Sequence, residues 1–180
     1  MQTKKVMDRL NSLNVGYLKK LPNEEIPEVL FDVAVNEINE NWDEELEIIE
    51  DLPEVVGVFY WIVRFSTLIN YGGIQSFLSS ESGYAFPQVI QALRKVRADD
   101  TADVVEEGTY NIMQTLEMDP KTFIDVLKSQ TLYELSDQQD VIYEIQDIDM
   151  ALKEIDEPVY DYLLDFYAKS IKNLDDESYI

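Results

Sequence analysis

The stretch from Pro53 to Ile69 constrains this chain more than any other feature. Val55, Val56, Phe59, Ile62, Val63 and Phe65 place apolar side chains on nearly every side of one helix, broken by Arg64, Ser66 and Thr67. A helix that is apolar all round is walled in by protein or crosses a membrane. This one is too short and too interrupted to span a bilayer. The sequence therefore predicts a buried central helix at about 53–69 with amphipathic helices packed around it.

The flanking sequence supplies such helices. Gly and Pro number only six each, and no run of turn dipeptides marks out short strands. Val29, Leu30, Val33 and Ile38 recur at helix spacing between Glu28, Asp32 and Glu37, with Pro27 near the start. A short acidic helix over Asp43 to Asp51 contributes Leu46, Ile48 and Ile49. The core helix stops at Asn70-Tyr71-Gly72-Gly73, a left-handed C-terminal signal, with Ile74, Phe77 and Leu78 in a following turn and a loop from Ser79 to Gly83. Pro87 opens a helix bearing Val89, Ile90, Leu93 and Val96. Asp99 or Asp100 reads as the N-cap of a helix to about Thr115, with Asp103 in a capping-box-like position. Asp119-Pro120 repeats a cap-plus-proline start before Phe123, Ile124 and Leu127. Between Leu132 and Ile155, Ile142, Ile145, Ile148 and Leu152 fit a helix, while Asp147-Ile148-Asp149-Met150 alternates as a strand would. Pro158 opens the last helix, striped by Tyr160, Leu163, Leu164, Tyr167 and Ile171. The expected fold class is all-α, a single compact multi-helix domain over residues 1–180.

With 46% hydrophobic residues and 11% aromatics, the chain has the apolar area that a disordered acidic tail lacks. It has no Cys and no His. Disulfides, thiolate or imidazole metal centres, Cys nucleophiles and Ser-His-Asp triads are thereby excluded. No Walker loop, G-x-G-x-x-G or G-x-S-x-G is present. The 37 acidic against 14 basic residues give a formal charge of −23, which repels a phosphate backbone and argues against direct nucleic-acid binding. Met1 to Lys5 carries charge, but no apolar run follows as in a signal peptide. The expectation is a soluble, cytoplasmic protein with no membrane contact and no cofactor.

The acid is concentrated. Leu21 to Val63 holds 13 acidic residues and no Lys or Arg, and Ser129 to Leu152 holds 6 with no basic residue. Asp43, Glu47 and Asp51 share a helical face, Glu50 and Glu54 repeat the spacing, and Glu44 lies among them. Asp140 and Glu144 do the same, flanked by Asp137, Asp147 and Asp149. Each like-charge pair at i, i+4 weakens a helix by about 0.2–0.5 kcal/mol. A sequence shaped only for stability would place Lys at some of these positions.

Side chains four apart on a helix lie about 5–6 Å apart at Cβ, against about 3.4 Å of rise per phosphate along a winding DNA strand. Rows of carboxylates can thus imitate rows of phosphates over a turn or two. The alternative is a solvated acidic coat. Weak Ca²⁺ or Mg²⁺ binding is a further alternative, but Asp147-x-Asp149 lacks the remaining ligands and the glycine of an EF-hand loop, so no metal site is assigned. A two-carboxylate hydrolase needs a groove such as Tyr60, Trp61, Tyr71 and Tyr84 could line, yet no acidic pair stands out and no catalytic residue is assigned.

Tyr60-Trp61, then Asn70 to Gly83, then Val89 to Leu93, resembles a bacterial family catalogued as a domain of unknown function. Its characterised representative is a DNA-mimic protein. The family hallmark is Asn-Gly-Gly-Phe, a spacer, Gln-Tyr-Phe, and Asn-Ser-Ser-Gly before a helix. Gly72, Gly73 and Gly83 match it, and Phe77, Leu78 and Ser80 match in kind. Tyr71, Ile74 and Ser76 depart from it, and Glu81 lies between the serines and Gly83. The resemblance implies an all-helical fold, homodimerisation and binding to a transcription factor in place of DNA. The glycines themselves read as structural: they end one helix and let the next approach. The resulting expectation is a non-enzymatic protein whose carboxylates occupy the DNA-binding surface of a basic regulator or nucleoid protein. An immunity-type inhibitor of a nuclease toxin would need the same surface, and a small carboxylate- or metal-dependent hydrolase is the alternative from another class.

Overall fold

The computed structural model describes residues 14–39, 41–129, 132, 139–172, 174–177 and 179–180. Among these, nine α-helices follow one another: α1 (Val15–Leu18), α2 (Ile26–Ile38), α3 (Glu45–Asp51), α4 (Glu54–Leu78), α5 (Phe86–Val96), α6 (Asp99–Thr115), α7 (Pro120–Lys128), α8 (Gln139–Glu154) and α9 (Val159–Ile171). Short 3₁₀ turns at Trp42–Glu44 and Gly83–Ala85 precede α3 and α5. No β-strand occurs among the described residues, only an isolated antiparallel bridge between Asn14 and Tyr179. The fold class is all-α.

The chain divides into two compact units, Met1–Tyr60 with Tyr160–Ile180, and Trp61–Val159. Helix α4 supplies residues 54–60 to the first and the rest to the second. Val55, Val56, Val58, Phe59, Tyr60, Trp61, Ile62 and Phe65 are all buried along it. The expected central helix is thus present, and it begins directly after Pro53.

In the first unit Tyr60 stacks on Phe31 at 5.4 Å, and Phe59 meets Tyr167 edge-on at 6.0 Å. The Tyr167 hydroxyl donates to the Leu18 carbonyl at 2.8 Å. Burial pushes that hydroxyl up to about 12. Glu45, fully buried, accepts a hydrogen bond from the Tyr60 hydroxyl. An ionisable side chain needs such a partner to be tolerated inside.

In the second unit α4 is interrupted at Gly72 and Gly73. Gly73 has φ +71°, a conformation that a side chain disfavours. The break turns the chain so that Phe77 packs edge-on against Phe65 at 5.2 Å. Gly83 passes so close to the Leu78 carbonyl that a Cβ would sit 2.2 Å from its oxygen. Phe86 of α5 meets Phe123 of α7 at 5.9 Å, and α6 packs along both α5 and α8. The stretch Asp147–Met150 is helical, within α8. The alternation that suggested a strand arises because Ile148 is buried between Asp147 and Asp149 while Met150 is exposed.

One helix start differs from expectation. Ala98, not Asp99 or Asp100, occupies the N-cap of α6, with no side-chain cap of its own. The carboxylate of Glu157 takes that role from across the fold. It accepts the Asp100 and Thr101 amides at 3.1 and 2.8 Å and the Thr101 hydroxyl at 2.6 Å. Asp103 serves Arg94 instead, at 2.7 Å. Asp119 does cap α7 as expected, accepting the Lys121 and Thr122 amides.

Candidate functional site

Asp43, Glu44, Glu47, Glu50, Asp51 and Glu54 are all exposed. They run through the 3₁₀ turn, α3 and the first residue of α4. At 3.6 residues per turn, Glu47, Glu50 and Asp51 fall within an arc of roughly 100°, and Glu45 and Ile49 point the opposite way. Glu45 and Ile49 are the buried residues of α3. The helix is therefore oriented by one buried acid and one isoleucine, and its remaining carboxylates share the outer side.

On α8 the same geometry splits the expected second row. Asp140, Glu144 and Asp147 lie within roughly 60° of one another, whereas Asp149 points to the far side. Asp149 is half-buried, and its Oδ1 accepts the Ile74 amide proton at 2.7 Å. It thus restarts α4 after the Gly72–Gly73 break. Asp137 lies outside the described residues.

Among the described residues, Asp43, Glu44, Glu47, Glu50, Asp51, Asp140, Glu144 and Asp147 carry no ion pair. Acids elsewhere do. Arg94 bridges Asp99, Asp103 and Glu106 at 3.8, 2.7 and 2.5 Å, and the hydrogen bonds it donates to Glu106 and then Asp103 raise its pKa further. Lys19 holds Asp176 at 2.8 Å and depresses its pKa, and Lys169 holds Asp165 at 2.8 Å.

Gly108, in the middle of α6, has Ile148 of α8 so near that a Cβ would lie 2.3 Å from Ile148 Cγ1. The close approach leaves a shallow groove of about 160 Å³ beside it, with Glu107, Glu144 and Asp147 on its rim. Glu107 was not among the expected site residues. The signal for it was a glycine inside a helix, which marks a close helix contact and hence which neighbours share a face.

Of the aromatics that could have lined a catalytic cleft, Tyr60 and Trp61 are buried, Tyr71 is 87% exposed, and Tyr84 lies under the Lys128 ammonium at 5.1 Å. Among the described residues, no three carboxylates converge closely enough to hold a metal ion, and no helix is long and apolar enough to cross a membrane.

No curated protein and no solved structure matches the chain significantly. The profile of a family described as DMP19-like protein matches residues 50–173. That segment is more than half of the chain and includes the glycine break, α6 and α8, so the chain belongs to the DMP19-like protein family.

Proposed function

We propose that this protein is a DNA mimic, which sets its unpaired carboxylates against the DNA-binding surface of a basic transcription regulator or nucleoid protein and blocks access to DNA. The observation that carries the reading is a run of exposed carboxylates without ion pairs, among the described residues, along one oriented segment. Asp43 and Glu44 in the 3₁₀ turn and Glu47, Glu50 and Asp51 on α3 stand exposed and without an ion pair, on a segment whose orientation is fixed by the burial of Glu45 and Ile49. Helix-borne charges are held at fixed spacing, as phosphates are. Uncompensated, they also project a long-range field that speeds encounter with a basic cleft. Family membership supports the reading, since DMP19 is itself a DNA-mimic protein. The role is electrostatic and requires no catalytic group.

The test is capture from lysate on the immobilised full chain at low salt, eluted with duplex DNA. Competition of the captured protein against a labelled duplex follows. The chain should displace the duplex, and the combined Asp43→Lys, Glu47→Lys, Glu50→Lys, Asp51→Lys variant should lose displacement by roughly 100-fold or more. Raising the salt should weaken it steeply. Undiminished displacement by the reversed variant, with a native melting profile, would sink the proposal for this row.

A further inference from the structure

We infer that the groove between α6 and α8 is the anchor for the basic partner, and that it takes one long cationic side chain, an arginine or a lysine. This rests on the DNA-mimic reading and names the point on the surface where contact is centred. Val104, Ile148 and Ala151 supply its apolar lining, and Asn111, Glu107, Glu144 and Asp147 its polar lining, with Glu107 and Asp147 exposed. No cation lines it. Arginine and lysine are built to match: their methylene stems lie on apolar surface while the charged head stays in a polar rim.

Size narrows the occupant. About 160 Å³ is close to a cavity that accepts a benzene-sized group, so there is room for one side chain and not for a helix. The rim carboxylates do not gather around a point as a compact metal ion would require. They suit a cation delivered at the end of a stem. Asp140, one turn before Glu144 on the same face of α8, extends the negative field towards the entrance. Interfaces concentrate their energy where a large side chain fills a pocket, and a row of exposed carboxylates alone offers none. The groove also lies wholly within residues 50–173, whereas three of the six carboxylates of the first row precede residue 50. A contact common to the family would fall on the former.

The test compares two labelled peptides of equal charge. One carries arginines spaced by alanine; in the other each arginine is replaced by 2-amino-3-guanidinopropionic acid, whose guanidinium sits on a one-carbon stem. Fluorescence anisotropy with the full chain should show the arginine peptide binding roughly tenfold tighter. Amide shifts in an ¹⁵N spectrum of the wild-type chain should concentrate at Gly108, Asn111, Ile148 and Ala151. Ala151→Met fills the groove without altering charge and should bring the arginine peptide down to the affinity of its short-stemmed counterpart. Equal binding of the two peptides, or shifts concentrated at residues 43–54, overturns the inference even if the substituted protein fails to fold. If the groove fails while reversal of the α3 row still abolishes DNA displacement, the mimic reading survives without it. If the peptide maps to the groove but the chain displaces no duplex from any captured protein, the mimic reading falls and the groove remains a cation site.

Discussion

Asp149 and Ile74, seventy-five positions apart in sequence, are joined by a 2.7 Å hydrogen bond from the Ile74 amide to the Asp149 carboxylate. The bond exists because Gly73 adopts φ +71° and leaves room: a Cβ there would lie 2.3 Å from Asp149 Oδ2. Asp149→Ala should cost about 1–3 kcal/mol, the loss of a part-buried bond to a charged acceptor. Gly73→Ala should cost more than about 1 kcal/mol from its backbone conformation alone. Combining the two in a urea-denaturation cycle should give less than the sum, because truncating Asp149 removes the clash and leaves only the backbone strain. Strict additivity would show that the two residues do not act on each other.

Glu157→Ala should destabilise the fold by about 0.5–2 kcal/mol, as loss of a helix cap does. Asp100→Ala should change it little, though the sequence pointed to Asp99 or Asp100 as the cap. Hydrogen exchange at the Thr101 amide, which donates to Glu157 at 2.8 Å, should accelerate in the first variant only.

Melting temperature should rise on acidification from neutral pH towards about pH 5, as self-repulsion is relieved. Asp32 contributes to this. Burial, with repulsion from Glu28, raises its pKa above 3.8, so its contribution to stability is fully present below 3.8 and lost as pH rises through the folded value. Asp119 and Asp176 act in the opposite sense. The Thr122 hydroxyl and amide lower the first, and the Lys19 ammonium lowers the second. Their contributions are present above 3.8 and lost as pH falls through their depressed values. Calorimetry across pH should therefore show a maximum, with Asp32→Asn flattening the rise and Asp119→Ala flattening the acid limb. A monotonic fall from pH 7 downwards would mean that pairing outweighs repulsion.

Tyr167→Phe should cost about 0.5–1.5 kcal/mol, since the Leu18 carbonyl loses the hydroxyl but keeps the Leu21 amide as a donor. The pKa of about 12 lies above the usual 10, so this contribution persists below pH 10 and is lost as pH rises through about 12. Ultraviolet titration should show one tyrosine ionising late, absent in the variant.

Much of the helix order was legible because proline and aspartate mark helix starts locally: Pro27, Pro53, Pro87, Asp119-Pro120 and Pro158 each stand at or beside one. The glycine break was legible for the same reason. What escaped were relationships between distant residues. Asp99 and Asp100 carry a capping sequence, yet Glu157 fills the position because a loop far along the chain meets the helix there. Glu45 looked like one more member of an acidic run, and Asp149 like a row member. Each faces inward because of where its helix packs, which spacing within one segment does not encode. Glu107 joined the candidate surface only when Gly108 was found against Ile148.

The unpaired carboxylates of α3 carry a thermodynamic corollary. Holding like charges side by side weakens the folded state relative to the unfolded chain, where they drift apart. A cationic ligand that neutralises them lifts this penalty only in the native form. Occupancy and conformational stability should then be linked so tightly that the complex melts well above the free protein, making a simple thermal-shift screen of basic proteins a direct route to the physiological ligand.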